Sequence, residues 1–148
     1  MKALYTIGYT KKSLRDFIGR IRDAAVDCVV DIRLNNTSQL AGFAKRDDLE
    51  FLLKGGFAIR YAHMVDLAPS KDLLDDYKLR KDWDDYVERF GRLIDERGMV
   101  DEFLRAAADG RWEKPCLLCS EDKPDQCHRR LLAEALQARM AGLEVRHL

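Results

Sequence analysis

Pro115-Cys116-Leu117-Leu118-Cys119-Ser120-Glu121-Asp122-Lys123-Pro124-Asp125-Gln126-Cys127-His128-Arg129-Arg130 is the stretch from which the rest of the chain is best read. An apolar run behind a proline, Cys116 to Cys119, has the pattern of a short buried strand. Pro124 suits the first turn of a helix, where its missing N–H costs nothing. Leu131, Leu132, Ala135, Leu136 and Met140 then continue as an apolar stripe of 3.6-residue period, closed by Gly142. The order is strand, tight loop, helix. Cys127, His128 and Arg129 fall in the first turns of that helix, where unpaired N–H groups and the helix dipole favour an anion and lower a thiol pKa.

Three of the four cysteines, one histidine, several carboxylates and an arginine pair crowd into this stretch, and three chemistries compete for them. Zinc needs four converging ligands. Cys116 and Cys119 are separated by two leucines rather than a glycine-bearing knuckle, and residues three apart on a strand point to opposite faces, so no metal ligand set is assigned. A phosphatase-like cysteine loop needs a thiolate and an arginine cradling one phosphate. The interval from Cys119 to Arg129 is long for that and has no glycines to let backbone N–H groups converge. The favoured alternative is an open site in which Glu121, His128 and Arg129 bind and process a substrate. Cys28 and Cys116 read as small core hydrophobes.

At 148 residues the chain suits one domain with a substantial core. No apolar run approaches the roughly 20 residues that span a bilayer. Met1 to Gly8 turns polar too soon for a signal peptide and reads as a first strand, so a cytoplasmic protein with reduced thiols and no membrane partner is expected. The 26 basic and 26 acidic side chains cancel, so any polyanion must be met by a local patch rather than a global field.

Outward from the decisive stretch, strands and helices alternate. Ala3 to Ile7 is apolar, and Ser13 with Asp16 opens a helix carrying Leu14, Phe17, Ile18 and Ile21. Cys28 to Ile32 is a β-branched run apolar on both faces, as a central parallel strand requires. A long polar loop, Leu34 to Gln39, follows. Further elements are a short helix from about Asp47 to Lys54, stopped by Gly55-Gly56, and a strand from Phe57 to Tyr61 running out into His63. Met64 to Asp76 has no clear period and reads as a loop over the site. One helix is then expected from Lys78 to Arg97, with Leu79, Trp83, Tyr86, Val87, Phe90, Leu93 and Ile94 on its core stripe, then a helix from Met99 to Asp109. Glu144 to Leu148 is a last strand. The expected fold class is α/β, a single Rossmann-like, doubly wound domain with a mostly parallel sheet of about five strands flanked by helices.

Ligands of open parallel sheets bind beyond the carboxyl ends of the strands, near a topological switch point. Four of the expected strands run into polar chemistry at that edge: Gly8-Tyr9, Asp31 with Arg33, Tyr61 with His63, and Cys119-Ser120-Glu121 leading to His128-Arg129.

These fragments span nearly the whole chain: Thr6-Ile7-Gly8-Tyr9-Thr10, Asp31-Ile32-Arg33 with Ser38, Tyr61 to His63, Leu117-Leu118-Cys119-Ser120-Glu121, Cys127-His128-Arg129 and Val145-Arg146-His147-Leu148. As a set they resemble the domain of unknown function 488 family, and the resemblance implies a small α/β fold while naming no reaction. Two positions depart from the family pattern. Asn36 stands where a proline is usual beyond the D-[VI]-R arginine, and Ala68-Pro69 replaces a glycine pair.

The residues themselves point to an enzyme, a hydrolase or transferase, acting on a phosphate-bearing small molecule or a nucleic-acid end, with no cofactor required by the sequence. Asp31, Glu121 and His128 are the expected catalytic groups, the carboxylates pairing for acid–base work. Arg33 and Arg129 are expected to grip anionic oxygens, and Tyr9, Ser38, His63, Cys119 and Cys127 to complete the binding site. A structural ion pair is the competing reading of Asp31 and Arg33, because buried charges must be paired whatever their function. The rival functions are a ligand-sensing or protein-binding module using the same anion pocket, and thiol redox or zinc chemistry at Cys119 and Cys127.

Overall fold

A computed structural model describes residues 1–148. Five strands, β1 (Ala3–Gly8), β2 (Cys28–Asp31), β3 (Arg60–His63), β4 (Pro115–Cys119) and β5 (Glu144–His147), form one parallel sheet in the order β3-β2-β4-β1-β5. Six helices flank it: α1 (Leu14–Asp23), α2 (Arg46–Phe57), α3 (Lys71–Arg80), α4 (Trp83–Arg97), α5 (Met99–Asp109) and α6 (His128–Arg139). The expected α/β class and five-strand parallel sheet are therefore present. No helix is long and apolar enough to cross a membrane.

Strand alternation divides the core in two. Tyr5, Ile7, Val29, Cys116 and Leu118 face one side, where α1 and α2 bring Phe17, Ile18, Ile21, Leu49 and Leu53. Leu4, Val30, Ile32 and Leu117 face the other, against Phe90 of α4, Phe103 of α5 and Leu132 and Leu136 of α6. The central strands β1, β2 and β4 are buried along their length, whereas the edge strands β3 and β5 are largely open. This is why β2 and β4 read as continuous apolar runs.

Four element boundaries differ from the sequence expectation. The helix from Asp47 continues through Gly55-Gly56 to Phe57, because the chain turns only at Ala58, whose φ of 54° gives the left-handed cap; β3 consequently starts at Arg60. The segment expected as a loop contains α3, capped by the Ser70 hydroxyl accepting from the Leu73 N–H. The single helix expected over 78–97 is broken at Lys81, φ 55°, after which Asp82 caps α4. Pro124 lies in a turn, and α6 begins at His128 with Cys127 as its N-cap residue. Because Leu79 belongs to α3 and is 85% exposed, Leu79→Ser is expected to change stability in urea unfolding by no more than about 0.5 kcal/mol. A core position would cost about 2–5 kcal/mol on a comparable truncation.

Candidate functional site

The chain leaves β2 toward β3 and leaves β4 toward β5, in opposite directions along the sheet, although β2 and β4 are neighbours. A crevice opens where such connections diverge. It is occupied here by a cavity of about 260 Å³ lined by Arg33 beyond β2, by Cys119 and Glu121 beyond β4, and by Cys127 and His128 at the start of α6. Leu74, Tyr77 and Lys78 of α3, Tyr86 of α4 and Pro69 form the remaining wall.

Asp31 is fully buried at the end of β2. It accepts from the Arg33 backbone N–H at 3.1 Å, from Arg33 Nε at 2.8 Å and Nη2 at 2.7 Å, from Asn36 Nδ2 at 3.1 Å and from the Tyr61 hydroxyl at 2.5 Å. Burial alone would raise its pKa, but the Arg33 bonds and charge, with Tyr61 and Asn36, outweigh it and hold the carboxyl below its ordinary range. Burial and the adjoining carboxylate push the Tyr61 phenol far up, so it remains a donor. Asn36, the departure from the family pattern, thus serves as a carboxylate partner.

Arg33 is only 2% exposed. Beyond its fork onto Asp31, Nη2 also donates to the Ala44 carbonyl at 2.8 Å, and the guanidinium lies 5.2 Å above the Tyr9 ring centre. Nη1 has no partner. His63 Nε2 donates to the Arg33 carbonyl at 3.1 Å, so His63 supports the arginine from β3.

On the other wall, His128 Nε2 donates to the Ile32 carbonyl at 3.0 Å. A carbonyl can only accept, so Nε2 carries a proton, and Nδ1 is the ring nitrogen turned to Cys119 Sγ, 3.6 Å away. The Phe90 ring packs edge-on against the imidazole. Cys119, Cys127 and His128 offer ligand atoms that all lie within 4.8 Å of one another, so these three can hold a metal ion. The hydrogen bond from the Cys127 thiol holds Cys119 below the ordinary thiol range against its burial, helped by the Glu121 and Ser120 N–H groups and the Arg129 charge. Cys127, sharing its proton with Cys119 and buried beside it, is pushed up. Burial raises Cys28 to about 12 and Cys116 well beyond the ordinary thiol range, in keeping with simple packing.

Arg129 does not face the cavity. Its guanidinium is 1% exposed and is spent on Thr6 Oγ1, the Glu121 and Asp122 carbonyls and Cys127 Sγ. Ser38 is exposed and caps a 3-10 turn over Gln39–Ala44 through the Leu40 N–H. Of the ten residues singled out in the sequence, the cavity gathers Arg33, Cys119, Glu121, Cys127 and His128; Tyr9, Asp31, His63 and Arg129 adjoin it as supports, and Ser38 stands apart. The α3 wall was hidden because the segment from Met64 has no period, although Pro69-Ser70 ahead of Leu73 and Leu74 is a helix-start signal.

The profile of the family described as "Domain of unknown function DUF488" matches residues 13–136. No curated protein and no solved structure matches the chain.

Proposed function

The chain belongs to the DUF488 family, a membership that prescribes no reaction, and from the site itself we propose an enzyme, a hydrolase or transferase, acting on a phosphate-bearing substrate such as a nucleotide or a nucleic-acid end. The observation that carries this reading is Arg33: a buried cation with Nη1 unpartnered, lining a cavity that the N-terminus of α6 also lines. No side chain caps that helix end. Guanidinium and helix dipole together favour a dianionic group between them. A cavity of 260 Å³ is below the usual range for a drug-sized ligand and suits a phosphate with the group next to it.

The acid–base pair imagined from the sequence is reduced to one free carboxylate. Asp31 is committed to Arg33, whereas Glu121 sits exposed at the cavity mouth with no side-chain hydrogen bond to hold it. Glu121 is therefore assigned the proton transfer, Arg33 the anion, and Tyr77 and Tyr86 the apolar part of the substrate.

The test is a panel of nucleoside monophosphates and phosphate-ended oligonucleotides, assayed for turnover and, by calorimetry, for binding. Glu121→Gln is expected to lower kcat on the order of 100-fold with binding retained. Arg33→Lys should weaken phosphate binding by about 10-fold or more, because lysine cannot reproduce the fork that positions Nη1. A compound bound by the wild type and by Glu121→Gln, weakened by Arg33→Lys and never turned over by the wild type would make the protein a sensing module instead. Absence of binding by the whole panel would end the phosphate reading.

A further inference from the structure

We propose that Cys119, Cys127 and His128 form a zinc site with one coordination position open to the cavity. The inference goes beyond the phosphate reading, since the ion would reside there whatever the substrate.

The spacing objection raised by the sequence concerns Cys116, and the fold removes Cys116 from the question: it faces the α1/α2 side of the sheet while Cys119 lies in the cavity on the other side. Cys119, Cys127 and His128 are each less than 7% exposed, and their ligand atoms lie within 4.8 Å of one another. Zinc–sulfur and zinc–nitrogen bonds of about 2.3 and 2.0–2.1 Å in a tetrahedron put sulfur and nitrogen about 3.5 Å apart. Cys119 Sγ and His128 Nδ1 stand 3.6 Å apart before any ion is placed.

The outer contacts match a ligand set as well. A metal-binding histidine usually gives its other ring N–H to a carbonyl or carboxylate. His128 gives Nε2–H to the Ile32 carbonyl at 3.0 Å, which leaves Nδ1 the only nitrogen available to a metal. Arg129 Nη1 donates to Cys127 Sγ at 3.4 Å while its other donors hold the loop after β4. Binding releases the two thiol protons to solvent, and two thiolates then balance the charge of the ion.

The number of ligands settles the type. A structural zinc site is closed by four protein ligands, whereas three with a vacant position mark a catalytic one. Here three donors converge and all three residues line the cavity that also holds Glu121. An ion there would take water as its fourth ligand and lower its pKa to about 7, in the cavity that Glu121 also lines.

Cobalt(II) titration of the full chain, stripped with chelator and kept reduced, reads the site without any assay of turnover. The expected result is one equivalent bound, with thiolate-to-cobalt charge-transfer absorption and strong tetrahedral d–d bands, both abolished by one equivalent of zinc. Cys127→Ser and His128→Asn should each weaken binding by more than the 10–100-fold typical of an outer-shell partner. Cys28→Ala should leave the spectrum unchanged. X-ray absorption at the zinc edge of the wild-type chain covers the case of a variant that does not fold, with two sulfur, one nitrogen and one oxygen scatterer expected. No charge-transfer band, wild-type cobalt affinity in Cys127→Ser and His128→Asn, or a shell lacking sulfur overturns the proposal. None of these readouts moves if the substrate bears no phosphate.

Discussion

Asp31→Asn is expected to destabilise the protein by about 3–5 kcal/mol, the penalty for breaking a buried ion pair from one side. For a chain of this length that is a fall in Tm of roughly 6–20 °C. The amide retains one oxygen but no charge, leaving the Arg33 guanidinium buried and uncompensated, with Asn36 and Tyr61 still aimed at the same point. The same carboxyl makes the wild type acid-sensitive. Its folded pKa lies below its unfolded value, so its contribution is complete above the ordinary aspartate pKa of about 4 and drains away as pH falls through the lower folded value. Thermal unfolding of both proteins between neutral and acid pH checks this. The wild type should lose stability across the acid window and the variant should lack that component; parallel curves of equal midpoint would mean that Asp31 does not hold the site together.

Gly8→Ala is the second large effect, expected at about 3 kcal/mol or more, at or above the upper end of ordinary overpacking. Gly8 needs no unusual backbone angle. What it needs is room: a Cβ there would lie 1.6 Å from the Glu121 carbonyl oxygen and 2.5 Å from its carbon. That carbonyl also accepts from Arg129, so the loop cannot retreat without releasing the guanidinium that ties it to α6. Loss of stability should therefore come with loss of ligand and cobalt binding. Gly19→Ala provides the contrast, because nothing lies within 4 Å of its added carbon in α1, and it should gain about 0.5–1 kcal/mol. Chemical unfolding of the two alanine variants side by side decides the matter; a Gly8→Ala protein as stable as wild type would refute the packing account.

The central strands β1, β2 and β4 were legible because they are short, apolar on both faces and separated by helical stripes, a pattern in which local preference and burial agree. The bends at Ala58 and Lys81 were not. Both rest on left-handed residues that are not glycine, so tertiary contacts impose a turn that local sequence does not announce. At the candidate site, the parallel sheet brings the strand ends to one edge, and Arg33, Glu121, Cys119, Cys127 and His128, which line the cavity there, could each be named from the sequence. Their division of labour could not. Whether an arginine faces a cavity or secures a loop depends on where its neighbours' carbonyls fall, and Arg33 and Arg129 are indistinguishable in that respect before the chain is folded.

The position of β4 has a bearing on how this chain reaches its native state. β4 lies between β2 and β1 in the sheet, yet more than eighty residues of chain separate it from β2. Until residues 115–119 emerge from the ribosome, β1 has neither of its neighbours and β2 pairs with β3 alone, so both apolar layers stay incomplete until then. Completing the sheet must await β4 and then β5, strands whose partners lie far back in the chain, and closing such long loops is slow and leaves the unfinished apolar layers open to aggregation.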